Sequence, residues 1–186
     1  VWKKVLEGHD QLVYIPMSAG LCASCATAQM LAENFDGRVQ VADNRRISVT
    51  QRYSVLDALA MTQTGMDAAQ IRQILEEQGD DSCIYISVDT LKYLRKGGRV
   101  TGAEAIAGTM LNIKPVLEIR GEKLTPVGKV RGMKAARKLM IQKVREDVEG
   151  RLKPLWDNGH LAVKMAYSQI STELREEWRE EIHAAF

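Results

Sequence analysis

The chain has 186 residues, of which 45% are hydrophobic and 27% are charged, and its formal net charge is +2. This composition excludes a disordered chain and is sufficient for one large hydrophobic core or two small ones. No stretch approaches the roughly 20 apolar residues of a membrane-spanning helix, and the N-terminus lacks the pattern of a signal peptide, so we expect a cytoplasmic protein without integral membrane association.

Short apolar runs and helical patterns alternate in the first half of the chain. The runs over 12–17, 39–42 and 83–88 are typical of buried parallel strands. Strands that alternate with helices favour parallel pairing with helices on both faces. Residues 1–96 are therefore predicted to be part of a Rossmann-like α/β domain. The predicted helices cover 2–7, 21–34, a segment with the apolar stripe Val55, Leu56, Leu59 and Ala60, and a segment from the capping box of Asp67 and Gln70 to Gly79.

A change of pattern follows the third strand. Asp89 is predicted to cap a short helix that the glycine pair 97–98 ends, because glycine adopts the left-handed conformation at little cost. The domain boundary is placed there. A second capping-box pattern predicts a helix over 101–111.

Residues 97–186 are predicted to form a smaller α+β domain, incomplete at its end. A hairpin is expected around 120–123, with Pro126 in an edge strand because proline donates no ladder hydrogen bond. A strand is expected over 161–167, and Ser171 is expected to cap the last helix. A long helix is predicted over 133–151, with one buried face formed by Ala136, Met140, Val144 and Val148.

Small and hydroxyl-bearing residues follow the first predicted strand just where a helix is expected to begin. Free backbone N–H groups at a helix start point outward and the helix dipole favours negative charge. Ser18 and the amides of Ala19 and Gly20 are therefore candidates to hold a carboxylate. An ordinary helix cap without a ligand explains the same residues equally well.

The cysteines and the charge distribution suggest other classes of function. Cys22 and Cys25 form a C-x-x-C pair at the predicted helix start, which is the pattern of a thiol redox protein. No second pair completes a zinc site, and two packed, reduced thiols explain the pattern more simply. Residues 123–145 include eight basic side chains and no acidic one, and no aromatic residue lies among them for base stacking. This stretch indicates a docking face and argues against nucleic acid.

Four segments, in this order, resemble the DegV family of bacterial fatty-acid-binding proteins. They are Ile15-Pro16-Met17-Ser18-Ala19-Gly20-Leu21, Val88-Asp89-Thr90-Leu91 with Lys96-Gly97-Gly98-Arg99-Val100 after it, Leu111-Asn112-Ile113-Lys114-Pro115, and Lys129-Val130-Arg131-Gly132. The resemblance covers nearly the whole chain. It implies two α/β domains with a long-chain fatty acid between them as the only ligand, without a cofactor or metal.

The resemblance also implies roles for individual residues. Ser18, with Ala19 and Gly20, would hold the carboxylate of the fatty acid, and the protein would present it, without catalysis of its own, to a separate fatty-acid kinase. The candidates for the acyl tunnel are Leu21, Ile106, Met110 and Ile113, which an ordinary core explains as well. The candidates for kinase docking are Arg99, Lys129 and Arg131.

The chain departs from the family pattern around the serine turn. Ala19 and Cys22 replace two serines of the motif, and Asn44 stands where the family usually has serine after Asp43. The family's N-terminal and extreme C-terminal segments have no counterpart, so the chain is interpreted as a fragment. A thiol redox protein and a regulatory module that senses a small molecule stay open as alternatives.

Overall fold

The structure, a computed structural model, describes residues 1–100, 112–121 and 123–186. The chain divides into two compact units. The first comprises Val1–Ile84 with Arg120–Lys123, and the second comprises Tyr85–Ile119 with Leu124–Phe186. The predicted division between residues 96 and 97 lies later in the chain, and as a domain boundary it stays a prediction.

The first unit contains two strands and four helices among its described residues. Its elements are α1 Trp2–Val5, β1 Leu12–Tyr14, α2 Ser24–Ala32, β2 Val39–Val41, α3 Ser48–Gln63 and α4 Ala68–Glu77, with short 3-10 turns at Glu33–Phe35 and Gln78–Asp80. β1 and β2 pair in parallel, with Leu12 opposite Val39 and Tyr14 opposite Val41. The predicted parallel pairing of these two strands is confirmed.

Helices cover both faces of this small sheet. Alternate strand residues point to opposite sides, so each face offers side chains for packing. On one face, Val39 and Val41 pack with Cys25 and Ala28 of α2. On the other face, Val13 and Ala42 pack in a second cluster with α3 and α4, whose buried members are Ala58, Ile71 and Leu75. The predicted α/β layering is confirmed. The Asp67 capping box at the start of α4 is confirmed as well.

Three predictions for the first unit are wrong in detail. β1 ends at Tyr14 rather than at residue 17, since the last bond between the two strands runs from the N–H of Ala42 to the carbonyl of Tyr14. α2 begins at Ser24 rather than at residue 21, because the chain first closes a tight turn. The third predicted strand does not join this sheet and pairs elsewhere.

The apolar stripe predicted for α3 faces solvent. Val55, Leu56 and Leu59 are 43%, 41% and 55% exposed, and the buried residues of the helix are Ser54 and Ala58. The reason is chemical, because the loop after β2 places polar side chains against α3 and a serine satisfies them there.

The second unit combines a sheet with helices. Its elements are β3 Ile84–Ser87, whose first residue belongs to the first unit, α5 Lys92–Lys96, β4 Ile113–Arg120, β5 Lys123–Arg131, α6 Met133–Glu149, α7 Lys153–Asp157 and α8 Thr172–His183. The strand order is β3-β4-β5. The predicted hairpin is confirmed as β4 and β5, and Pro126 lies in the outermost strand of this order, as expected.

α6 packs on the sheet through one face. Ala136 and Met140 form a buried cluster with Val116 of β4, and Val148 is also buried, whereas Val144 is half-buried. The predicted cap at Ser171 is confirmed, since its hydroxyl oxygen accepts the N–H of Leu174 at 3.2 Å.

Two predictions for the second unit are wrong. Residues 161–167 form no strand, although their exposure alternates as in an extended chain. Asp89 does not cap α5; the hydroxyl of Thr90 accepts the N–H of Lys92 instead, and the Asp89 carboxylate pairs with Lys114. The helix predicted over 101–111 lies outside the described residues.

Candidate functional site

The serine turn lies at the carboxyl edge of the parallel strands β1 and β2, where ligands bind in open α/β sheets. Ser18 is fully buried. Its backbone N–H donates to the carbonyl of Arg46 at 3.0 Å, which joins the loop after β1 to the loop after β2. Its hydroxyl donates to the carbonyl of Gly121 at 3.2 Å.

Asp43 fixes the next residue of the turn. Its Oδ1 accepts the N–H of Ala19 at 3.2 Å and the N–H of Arg45 at 3.3 Å. The N–H of Asp43 donates to Oε1 of Glu76 on α4 at 3.1 Å. No pattern in the sequence indicates the bond between Asp43 and Ala19.

One peptide unit of the turn has no partner. The carbonyl of Ser18 accepts the N–H groups of Leu21 and Cys22, both at 3.0 Å. Among the described residues, neither the carbonyl of Ala19 nor the N–H of Gly20 makes a hydrogen bond within the chain, and both residues are exposed. The turn therefore has one N–H, that of Gly20, without a partner among the described residues, and it follows the buried Ser18 by two positions.

The start of α2 is not the source of these donors. The helix begins at Ser24, with Ala23 as its cap residue, so the amides of Ala19 and Gly20 belong to the preceding turn. The dipole of α2 therefore does not act on them as the sequence argument assumed, because it falls off within the first helical turn. The turn amides are the donors that the structure offers.

A buried polar network supports the loop after β2. Asn44 is fully buried, and its Nδ2 donates to Oγ of Ser54 on α3 at 2.6 Å. Nη1 of Arg46 donates to the same oxygen at 3.3 Å, and Nη2 donates to the carbonyl of Gln78. Burial lowers the pKa of Arg46, and the negative charges of nearby aspartates partly offset this shift. Sequence reasoning identified Asn44 as a departure from the family and missed Arg46.

The environment of Cys25 favours an inert thiol. Its side chain is fully buried, and burial first, then the charges of Asp43 and Glu76, raise the pKa of the Cys25 thiol. A reactive cysteine needs the opposite shift, toward the thiolate. Cys22 is half-buried. Over the described ranges, no group of three or more His, Cys, Asp or Glu side chains is arranged to hold a metal ion.

The structure brings some of the predicted site residues together. Ser18, Ala19, Gly20 and the buried Leu21 share one turn. Ile113 is half-buried at the start of β4 in the second unit, whereas Ile106 and Met110 lie outside the described residues. The predicted docking residues Arg99, Lys129 and Arg131 all belong to the second unit and are exposed. Searched over the part of the chain that the structure describes, no helix is long and apolar enough to cross a membrane.

A family model described as an uncharacterised protein of the DegV family matches residues 1–185. The chain belongs to the DegV family. The resemblance carried by the four sequence segments is thereby confirmed.

Two DegV proteins with related sequences have solved structures. One, from Thermus thermophilus and described by its fatty acid binding, has a TM-score of 0.71 and 32% identity over 80% of this chain and 53% of its own. The other, a fatty acid binding DegV family protein from Streptococcus agalactiae, has a TM-score of 0.68 and 30% identity over 80% and 53%. The DegV fold of the chain is thus shown.

A curated relative gives the same assignment. A DegV domain-containing protein from Deinococcus radiodurans is 35% identical over 147 residues, which are 79% of this chain and 52% of the relative. The chain therefore spans about half the length of the curated relative and of the solved DegV structures that it matches.

Proposed function

We propose that the protein binds a long-chain fatty acid by its carboxylate at the turn Ser18–Gly20 and presents it, in the cytoplasm, to a separate fatty-acid kinase without catalysing a reaction itself. The relatives from Thermus thermophilus and Streptococcus agalactiae, both described as fatty acid binding, support the ligand class. The kinase role rests on the resemblance to the family.

The observation that carries the proposal is the unpartnered N–H of Gly20 in the same turn as the hydroxyl of Ser18. A carboxylate accepts hydrogen bonds from such donors, and bonds to a charged acceptor are about twice as strong as neutral ones. The Ser18 hydroxyl already donates to a carbonyl, that of Gly121, at 3.2 Å. A carboxylate oxygen of the ligand would replace the Gly121 carbonyl as the acceptor of this hydroxyl, and the charged oxygen would form the stronger hydrogen bond.

The acyl tail supplies most of the affinity in this proposal. Burying a C16 tail at ~0.8 kcal/mol per methylene stabilises the complex by on the order of 10 kcal/mol before ordering costs. Leu21, Ile106, Met110 and Ile113 stay candidates for its lining. The head-group contacts then select an acid over other apolar ligands.

Replacing the hydroxyl tests the site. Ser18→Ala is expected to weaken the binding of myristic acid by about 1 to 3 kcal/mol, or roughly 5- to 150-fold, because the donor to the carboxylate is lost. Titration of the purified protein measures this change. Ser24→Ala is the matched control, since it removes a nearby hydroxyl that makes no hydrogen bond with the turn among the described residues and should leave the affinity unchanged.

Two results would contradict the proposal. An unchanged affinity in Ser18→Ala would remove Ser18 from the site. Organic extraction of the protein followed by mass spectrometry should yield C14 to C18 acids; their absence, together with no uptake of added acid, would exclude the fatty-acid ligand. A bound polar metabolite would favour a small-molecule sensor instead.

A further inference from the structure

The hydrogen bonds of the serine turn divide its N–H groups into those already used and one that is free. The N–H of Ser18 donates to Arg46, that of Ala19 donates to Asp43, and those of Leu21 and Cys22 donate to the Ser18 carbonyl. Within the described residues, only the Gly20 N–H of this run lacks a partner in the chain.

We infer that Asp43 is the positioning residue of the carboxylate site. Its carboxylate accepts the Ala19 N–H, so that this N–H is not available to the head group. The Ser18 hydroxyl and the Gly20 N–H are then the donors to the head group. This inference rests on the proposed function and makes it more specific, because the sequence analysis named the amides of both Ala19 and Gly20 as candidates beside Ser18.

Asp43 is itself held from outside the turn. Its own N–H donates to Oε1 of Glu76 at 3.1 Å, and the same oxygen lies 3.1 Å from Nε of Arg72 one helical turn earlier on α4. A line of polar contacts therefore runs from α4 through Asp43 to Ala19. The orientation of the peptide between Ser18 and Ala19 depends on this line.

The same geometry excludes Ala19 as a head-group donor. Its N–H points to Oδ1 of Asp43, and a ligand carboxylate that used the same N–H would lie next to the Asp43 carboxylate and be repelled by it. The neighbouring Gly20 N–H has no such competitor. The turn thus holds the Asp43 carboxylate at the Ala19 N–H and leaves the Gly20 N–H for the carboxylate of the ligand.

A comparison of two ligands with one tail isolates this role. Myristic acid and 1-tetradecanol have the same chain length, and only the acid carries a carboxylate. Loss of fold or of tail packing weakens both ligands, whereas a misdirected Gly20 N–H weakens chiefly the acid. The ratio of the two dissociation constants therefore reports the positioning of the head-group donors.

Three variants of the protein are measured with both ligands. Asp43→Ala removes the acceptor and is expected to weaken myristic acid about tenfold and 1-tetradecanol less than about threefold, the tenfold change being the size of one positioned hydrogen bond. Asp43→Asn keeps an oxygen acceptor and is expected to stay within about threefold of the wild type for the acid. Asp67→Ala is the stability control, because Asp67 caps α4 and lies outside the serine turn.

Amide hydrogen exchange gives a readout without a ligand. The N–H of Ala19 is expected to exchange faster in Asp43→Ala than in Asp43→Asn, because its acceptor is gone. Equal losses for acid and alcohol in Asp43→Ala, or an unchanged acid affinity, would overturn the inference while leaving fatty-acid binding intact. A wild-type protein that binds neither ligand, or does not prefer the acid, would overturn the proposed function and this inference with it.

Discussion

The titration of an individual side chain in this protein depends on its surroundings, as Cys25 shows. Cys25 of α2 is fully buried against β2, and its pKa is raised chiefly by the loss of water around the thiolate. The folded state therefore binds the thiol proton more tightly than the unfolded chain, whose thiol has its ordinary pKa of 9.0. This contribution to stability is fully present below about pH 9 and is lost as the pH rises through the folded-state pKa.

A variant makes this contribution measurable. Cys25→Ala removes the titrating thiol, so the difference in unfolding free energy between wild type and variant is expected to be constant from about pH 7 to 8 and to shrink above about pH 9. Urea denaturation across this range measures it. Cys83→Ala serves as the control, since Cys83 is only half-buried. A difference that grows above pH 9 would contradict the assignment.

Sequence reasoning found Ser18 and its turn but not the side chains that hold them. The small residues after an apolar strand indicate a turn by local chemistry alone. The bond from Ala19 to Asp43 and that from Asn44 to Ser54 join residues 24 and 10 positions apart, and they depend on how the loops and α3 fold together. No local pattern encodes such partners.

At the scale of elements, α6 and α8 are joined by a buried charge. The Arg137 side chain is 4% exposed, and its guanidinium donates to Glu177 at 2.7 Å and to Glu181 at 3.0 Å. The hydrogen bond to Glu181 is the main reason that the pKa of Arg137 is raised. The basic stretch over 123–145 therefore meets acidic residues of α8 here, within one unit.

Loss of this arginine is expected to loosen the packing of α8. Arg137→Ala should lower the free energy of unfolding by about 2 to 3 kcal/mol, less than for a fully buried pair because the glutamates can regain water. The next residue, Lys138, is exposed, and Lys138→Ala should change stability by less than about 0.5 kcal/mol. Equal effects of the two variants in urea denaturation would show that the ion pair contributes nothing.

The elements themselves were predicted where the pattern is local and strong. The capping box at Asp67 and the hairpin around 120–123 carry their own turn chemistry, and both are present. α3 was predicted with its apolar stripe inward, yet it buries Ser54 because the loop after β2 supplies Asn44 and Arg46 to it. A hydrophobic pattern cannot show that a helix packs against a polar loop.

For the molecule as a whole, the sequence predicted the alternation of strands and helices but assigned the third strand to the wrong sheet. β3 follows the two parallel strands and the helices α3 and α4, which is the pattern of a growing parallel sheet, but it pairs with β4. Partner choice depends on the distant segment Ile113–Arg120 and is not visible in β3 itself. The family membership, in contrast, followed from four short motifs in order.

The proposed presentation to a kinase would involve the whole molecule and has its own test. Arg131→Glu is expected to lower the rate of acyl phosphate formation by a fatty-acid kinase about tenfold, because a reversed charge at an interface slows association, while the affinity for myristic acid stays unchanged. Lys164→Glu, also exposed, is the control for the charge change. Equal rates for both variants would exclude Arg131 from docking.

Pro126 in β5, the last strand of the order β3-β4-β5, lies two residues after the bridge between Leu124 and Val100 and has a consequence for behaviour at high concentration. A proline lacks the N–H that a neighbouring molecule would need to extend the ladder there, and the charged side chains of Lys129 and Arg131 follow on the same strand. β5 is thus a poor template for intermolecular strand addition. The hairpin discourages aggregation by the same residues that form its exposed surface.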